Sequence, residues 1–280
     1  MQTLKTKNEL EYIEVSNKLS SIKIALQGAH IFDFRVKGQE PLLFLSDTSH
    51  FKVGKAIRGG VPICWPWFGT HASDSSLPNH GFARTSLWTH AKTEEIDKSH
   101  TKIILELKSS EETLKLWPHN FELQLEILMS DRLELSLITN NTGSEPFVIT
   151  QALHTYLLIE DITTVCIEGL DRTKYYDKLT DTYNNPQKGK LCFGSEIDRV
   201  YENVIKPLTV KDVEIQTIGS NTVVVWNPGM DFKNNFSDLS DYRTMLCIES
   251  ANTLNDAVTV EAEGSYLLKS ILSQNNKIND

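Results

Sequence analysis

Two short segments hold the ionisable groups best suited to moving a proton. His154 lies in "ITQALHTYLLIED", next to Leu153 and two residues from Tyr156. Its imidazole is the side chain whose charge changes nearest neutral pH. In an apolar, strand-like run a histidine is more often a hydrogen-bonded structural residue than a catalyst, so this segment alone leaves both readings open. Glu249 lies in "TMLCIESAN", just after Leu246, Cys247 and Ile248. That context implies a central strand, where an unpaired carboxylate is costly to bury. Glu249 must therefore be paired, protonated or turned toward a polar cleft. A carboxyl group and an imidazole are together the parts of a general base and a general acid. Asp198, in "SEIDRVY" between Glu196 and Arg199, reads by itself as a surface charge.

A third segment offers cations. Residues 56–84, "AIRGGVPICWPWFGTHASDSSLPNHGFAR", gather Arg58, Arg84, His71 and His80 beside Trp65 and Trp67, with no lysine or glutamate among them. Gly59-Gly60 permits a tight turn after Arg58, and Pro62, Pro66 and Pro78 stiffen the rest of the loop. Two guanidinium groups on a rigid loop can form a fork for an anion, since their paired N–H groups match phosphate geometry. The plainer reading is that the arginines pair with surplus carboxylates and the loop only covers the core. The tryptophans can form a wall or a packed base, packing against a bound ring or shaping the pocket.

These groups need a scaffold, and the chain reads as strands. "FELQLEI" sets Phe121, Leu123, Leu125 and Ile127 on one face against Glu122, Gln124 and Glu126 on the other; "RLELSLI" repeats the alternation, so 121–138 is a β-hairpin. "SIKIAL", "TKIILEL", "TVCIEGL", "TVVVWN", "TMLCIES" and "SYLLKSIL" are further strands, while "SSEETLKLW" is the best helix. Many strands separated by Gly, Pro, Asn and Asp turns predict an all-β chain, a large antiparallel sandwich with few short helices, organised as one domain over residues 1–280. Function should sit in the irregular stretches 56–84, 171–200 and 227–243.

Composition removes several classes. The 280 residues carry 28 Lys and Arg against 37 Asp and Glu, a net charge of −9, so no basic footprint for nucleic acid exists. The opening "MQTLKTKNELEYIEV" has no apolar core of a secretory leader, and no run approaches the ~18–20 apolar residues of a membrane span. No membrane partner is expected, the compartment expected is the cytoplasm, and the N-x-S/T matches at Asn140 and Asn235 are read as chance. Cys64, Cys166, Cys192 and Cys247 form no C-x-x-C pair and are expected as four reduced, mostly buried thiols. Metal-ligand spacing, a P-loop and a dinucleotide fingerprint are all absent from the sequence, so no cofactor or metal is expected.

Taken in order and spacing, "IRGGVPICWPWFG", "LPNHGFAR", "ALHTYL", "IDRVY", "VVWNP" and "CIESAN", the last followed by "DAVTV", closely resemble the hexose-6-phosphate 1-epimerases, a branch of the aldose 1-epimerase family. The resemblance runs from about residue 20 to 270. It implies a galactose-mutarotase-like β-supersandwich that interconverts the α and β anomers of a hexose 6-phosphate with neither metal nor nucleotide. Carried over, the family's catalytic histidine falls on His154, the acid, and its catalytic glutamate on Glu249, the base. Its substrate-binding positions fall on Arg58, Asn79, Arg84 and Asp198, with His80 lining the pocket. A small-molecule hexose 6-phosphate is the expected partner and a monomer the expected state. Two positions depart from the family's pattern. Gly229 follows "WNP" where many relatives have a bulky aromatic, and "GSYLL" replaces a histidine-containing turn. The alternatives are an epimerase of neutral sugars such as galactose, a non-catalytic carbohydrate-binding protein, and a glycosidase with Asp198 as second carboxylate.

Overall fold

The alternating segments pair as antiparallel ladders. A computed structural model describes residues 2–274; Met1 and residues 275–280, the ends of the expected domain, lie outside it. The expected hairpin forms from Phe121–Met129 and Arg132–Asn141, in register from Phe121 opposite Asn141 to Met129 opposite Leu133. It sits inside a nine-stranded sheet that runs from Leu191–Cys192 at one edge to Thr89–Glu95 at the other.

A second, eight-stranded sheet follows the order Thr182–Pro186, Lys174–Asp177, Ile197–Glu202, Thr222–Asn227, Met245–Asn252, Gln151–Leu153, Ile63–Cys64; Tyr156–Leu158 also pairs with Met245–Asn252. The first four strands, from Gln2–Lys7 to His30–Val36, make a smaller meander. The expected helix is present over Glu111–Leu116, with the Ser110 hydroxyl accepting from the Thr113 backbone N–H at its start.

The sheets close on one buried apolar cluster. Leu123, Leu125 and Ile127 of the hairpin share it with Ile63, Leu153, Val223, Val225, Leu246 and Ile248 of the eight-stranded sheet and with Ile13, Ile22 and Ile24 of the meander. Because side chains alternate along a strand, this fixes the other face of the eight-stranded sheet as the one free to carry function. It also decides between the two readings of the tryptophans, in favour of the packed base. Trp65 follows Ile63 onto the core face; it is fully buried, donates from Nε1 to Thr139 Oγ1 at 3.0 Å and packs edge-on against Trp117. Trp67 is buried in the same cluster and ties its own loop by donating to the Pro78 carbonyl at 2.9 Å. Both are pillars of the loop and neither lines a sugar site.

The thiol expectation is corrected as well. Cys64 and Cys247 are free and buried, but Cys166 and Cys192 form a disulfide. They stand directly opposite each other on neighbouring antiparallel strands, their Cα atoms 4.2 Å apart, a pairing that a sequence separation of 26 conceals.

The Gly59-Gly60 turn is required by backbone crowding. Both residues have positive φ, at 114° and 64°. A Cβ on Gly60 would stand 2.1 Å from the Ile31 carbonyl oxygen and 2.8 Å from His30 Nε2. Gly60→Ala should therefore cost at least ~2 kcal/mol of stability, combining a left-handed conformation with a backbone overlap. Gly69, also at positive φ but with open space where its Cβ would be, should lose only about 1 kcal/mol as Ala. Urea unfolding of the two variants checks this; equal losses would show that the overlap is relieved freely.

Candidate active site

The free face of the eight-stranded sheet is built in rows. Directly opposed residues of antiparallel strands point the same way. One row runs Asp198, Trp226, Cys247, Tyr156; the next runs Tyr176, Val200, Val224, Glu249. Lys178 extends the first row, its backbone N–H bonded to the Asp198 carbonyl at 2.9 Å. Val200 and Val224, with Cys64, Ala152 and Ala251, form a floor of small side chains. Larger groups lean over this floor from both sides.

His154 completes the second row, and the reason is a break in its strand. The segment is not the continuous strand the sequence suggested: Gln151–Leu153 and Tyr156–Leu158 are separated by His154-Thr155. Register survives the break, with Leu153 opposite Ser250 before it and Tyr156 opposite Cys247 after it, so His154 falls opposite Glu249. The freed backbone groups are satisfied: the His154 N–H donates to the Pro62 carbonyl at 3.0 Å and the Ile248 N–H to the Thr155 carbonyl at 3.1 Å. His154 Nε2 lies 3.3 Å from Glu249 Oε1.

A cavity of 140 Å³ lies above the pair, lined by Arg58, Phe68, His80, His154, Lys178, Asp198, Trp226, Phe236 and Glu249. At ~30 Å³ per water this is room for a monosaccharide ring and little more. Three buried polar atoms of residues in this lining have no hydrogen-bond partner among the described residues: His154 Nδ1, Glu249 Oε2 and Asp198 Oδ1. Buried polar groups are normally satisfied, so these three are open to a further partner.

Charge is arranged around them. Arg58 donates from Nε to Asp238 Oδ1 at 3.2 Å and from Nη1 to Tyr156 Oη at 3.1 Å, and its guanidinium lies 5.3 Å from the Phe236 ring centroid. Lys178 pairs with Asp198 Oδ2 at 2.8 Å. Arg84 donates to the Asn79 carbonyl at 2.7 Å and, among the described residues, makes no ion pair. Asn79 and Arg84 thus stand beside the lining rather than in it, although the Arg84 charge reaches His80, His154 and Glu249. His80 Nδ1 accepts from the Gly69 N–H at 3.2 Å, and burial together with the nearby cations pushes its pKa down to about 3. His80 is therefore a neutral imidazole with its Nε2 proton available to a ligand.

Five of the seven residues singled out from the sequence meet in this cavity, and two adjoin it. Phe68, Lys178, Trp226 and Phe236 were missed. Lys178 had one usable signal, its place in the polar 171–200 stretch. Gly229, the departure from the family pattern, lies outside: it lines a neighbouring 430 Å³ cavity with Glu196 and Asp231.

Burial governs how the central pair titrates. It raises Glu249 well above its ordinary 4.5, and the Asp198 charge adds to this, against the opposing pull of Lys178 and Arg84. It lowers His154 well below its ordinary 6.5, with His80, Arg84 and Arg58 acting in the same direction. Burial thus disfavours charge on both partners; the neutral pair and carboxylate with imidazolium differ only by moving one proton across the gap.

The signs give a test. A raised Glu249 makes the folded chain bind more protons than the unfolded one above pH 4.5, so stability falls as pH rises from there. A lowered His154 makes the folded chain bind fewer protons below pH 6.5, so stability falls as pH drops from there. Each slope is at most about 1.4 kcal/mol per pH unit. In urea unfolding across pH 4–9, Glu249→Gln should flatten the first decline and His154→Asn should reduce the second in part, since His30 and His80, both lowered to about 3 by burial, keep their own share. Unaltered pH dependence in both would show that the pair titrates normally.

Comparison with known proteins identifies the family and the fold. The aldose 1-epimerase family profile matches residues 11–273. A protein of Escherichia coli (strain K12) named "Putative glucose-6-phosphate 1-epimerase" is 36% identical over 273 residues, covering 94% of this chain and 90% of its own. One of the same name from Cenchrus ciliaris is 36% identical over 248 residues, 82% of this chain and 74% of its own. The crystal structure of a protein from Salmonella typhimurium, described as a "putative mutarotase", superposes with a TM-score of 0.90 at 31% identity, covering 98% of this chain and 94% of that one. A galactose mutarotase related enzyme from Lactobacillus acidophilus, at 15% identity and a TM-score of 0.72, shares the fold. The chain belongs to the aldose 1-epimerase family.

Proposed function

We propose that this protein interconverts the α and β anomers of glucose 6-phosphate and related hexose 6-phosphates. The observation that carries the reading is the opposed His154–Glu249 pair, both lining one small cavity together with the cations Arg58 and Lys178. Anomer exchange needs a proton removed at the C1 hydroxyl and one delivered to the ring oxygen as the C1–O5 bond breaks. Electrons from the C1–O–H bond form the aldehyde carbonyl, and the C1–O5 pair takes the delivered proton. Rotation about C1–C2 and ring closure on the other face reverse both transfers.

Glu249 acts as base and His154 as acid. Substrate entry supplies the hydroxyls that the orphaned atoms lack and shifts the shared proton onto the imidazole. Each positioned group is worth ~10²–10⁴-fold. Asp198 Oδ1 accepts from a sugar hydroxyl, His80 donates from Nε2, and Phe68, Trp226 and Phe236 supply apolar walls. The names of the similar proteins support the phosphate, as do the cations. Arg58 uses two of its five N–H donors in hydrogen bonds, on Asp238 and Tyr156, so three remain. Arg84, without a carboxylate, is the stronger candidate for the phosphate. Asn79, bonded to it, positions it.

Anomer-exchange NMR on glucose 6-phosphate, glucose and galactose tests the reading. The wild type should favour the phosphorylated sugar. Arg84→Ala should lower kcat/KM for glucose 6-phosphate roughly 10–150-fold more than for glucose, the worth of a hydrogen bond to a charged group. Arg84→Lys should recover only part, because a point charge cannot make the paired contact. An unchanged ratio between the two sugars would make Arg84 structural and favour neutral sugars as substrates.

A further inference from the structure

Lys178 reaches the cavity from three strands away. Its own strand, Lys174–Asp177, pairs with Ile197–Glu202 through Asp177 opposite Arg199 and Tyr176 opposite Val200. Continuing that register, Lys178 stands opposite Asp198, and both backbone and side chain bind it there, at 2.9 and 2.8 Å. Its stem passes over Phe68, with Nζ 5.7 Å from that ring's centroid. The Lys178–Asp198 pair and Glu249 line the same cavity, with Val200, Val224 and Trp226 on the strands between them.

The other groups turned toward Glu249 differ in kind. His154 and His80 are buried imidazoles that resist protonation. Cys247, on the same strand, and Tyr156, beside it, are buried and neutral. Arg58 is bound to Asp238 and acts on His154. Arg84 lies outside the cavity lining, bonded to Asn79. Asp198 bears a negative charge that opposes a second one at Glu249. Lys178 is thus the cation in the lining whose neighbour most needs it.

We propose that Lys178 is a positioning residue for this reaction: anchored on Asp198, its ammonium cancels that carboxylate's charge and supports the negative charge on Glu249 when Glu249 acts as base. The claim rests on the proposed epimerase reading for its chemistry but not for its measurement. Lys178 heads the charges that favour ionised Glu249, ahead of Arg84, in agreement with the geometry.

The experiment is a carboxyl titration of the whole protein carrying ¹³C-labelled glutamate, with the Glu249 signal assigned by its loss in Glu249→Gln. In Lys178→Gln the Glu249 midpoint should rise by roughly one pH unit, since a supporting charge is removed and Asp198 is left uncompensated. Lys178→Arg should restore it. Asp198→Asn should move it the opposite way, downward, which gives a second variant of opposite sign. If the protein exchanges anomers, the acid limb of kcat should move with the midpoint, about tenfold at fixed pH for each unit. An unmoved midpoint in both Lys178→Gln and Asp198→Asn overturns the proposal. So does a Lys178→Gln defect confined to KM for the phosphorylated sugar, which would make Lys178 a phosphate contact. Absence of exchange in the wild type would instead defeat the epimerase reading and leave the titration to decide on Lys178.

Discussion

The structure depends on one strand register. Leu153 lies opposite Ser250 and Tyr156 opposite Cys247, and between them the chain leaves the ladder for two residues. Had the register slipped by one, the core residues Leu246 and Ile248 would exchange faces with Cys247 and Glu249, burying a carboxylate among the hydrocarbon of the inter-sheet core. The apolar face therefore enforces the catalytic face. The break at His154-Thr155 then frees His154 to turn its ring to within 3.3 Å of Glu249 while the Pro62 and Thr155 carbonyls keep the backbone bonded.

That arrangement also sets the electrostatics. A strand centre excludes water, which disfavours charge on either partner, so one proton is held between two groups poised to exchange it. The surroundings then tilt the balance. Asp198 opposes a charge on Glu249, Lys178 and Arg84 favour it, and Arg58 with Arg84 opposes one on His154. The chain as a whole carries −9, so attraction of a phosphorylated sugar has to be local. With a Debye length of ~8 Å at physiological salt, the cations beside the cavity act on a ligand at its mouth while distant surface carboxylates are largely screened. Asp238 and Asp198 hold Arg58 and Lys178 in place at the cost of part of their charge, and Arg84 keeps its own.

Much of this was legible in the sequence, for reasons specific to certain segments. The hairpin announced itself because both its strands alternate without a fault. Glu249 stood out because an acid after "MLCI" has few places to go; the same segment read by alternation puts Met245, Cys247, Glu249 and Ala251 on one face, which is the site face. His154 was located, but its escape from the ladder was not, since nothing in "ALHTYL" differs from a continuous strand. The tryptophans stayed open between a wall and a packed base because position in the loop says nothing about which way a side chain turns; Trp65 follows the parity of Ile63 into the core. Lys178 and the Cys166–Cys192 pair were hidden for a common reason. Both depend on which distant strand lies alongside, and local pattern does not encode that.

The central claim is that His154 and Glu249 act as one proton-transfer unit because the register brings them together. A double-mutant cycle on anomer exchange of glucose 6-phosphate, read by NMR at saturating substrate in His154→Asn, Glu249→Gln and the double variant, tests it most directly. Groups that work as a unit lose their function together, so each single variant should lose about two or more orders of magnitude and the double should be little worse than the weaker single. Near wild-type exchange in either single variant, or losses that multiply in the double, would contradict it.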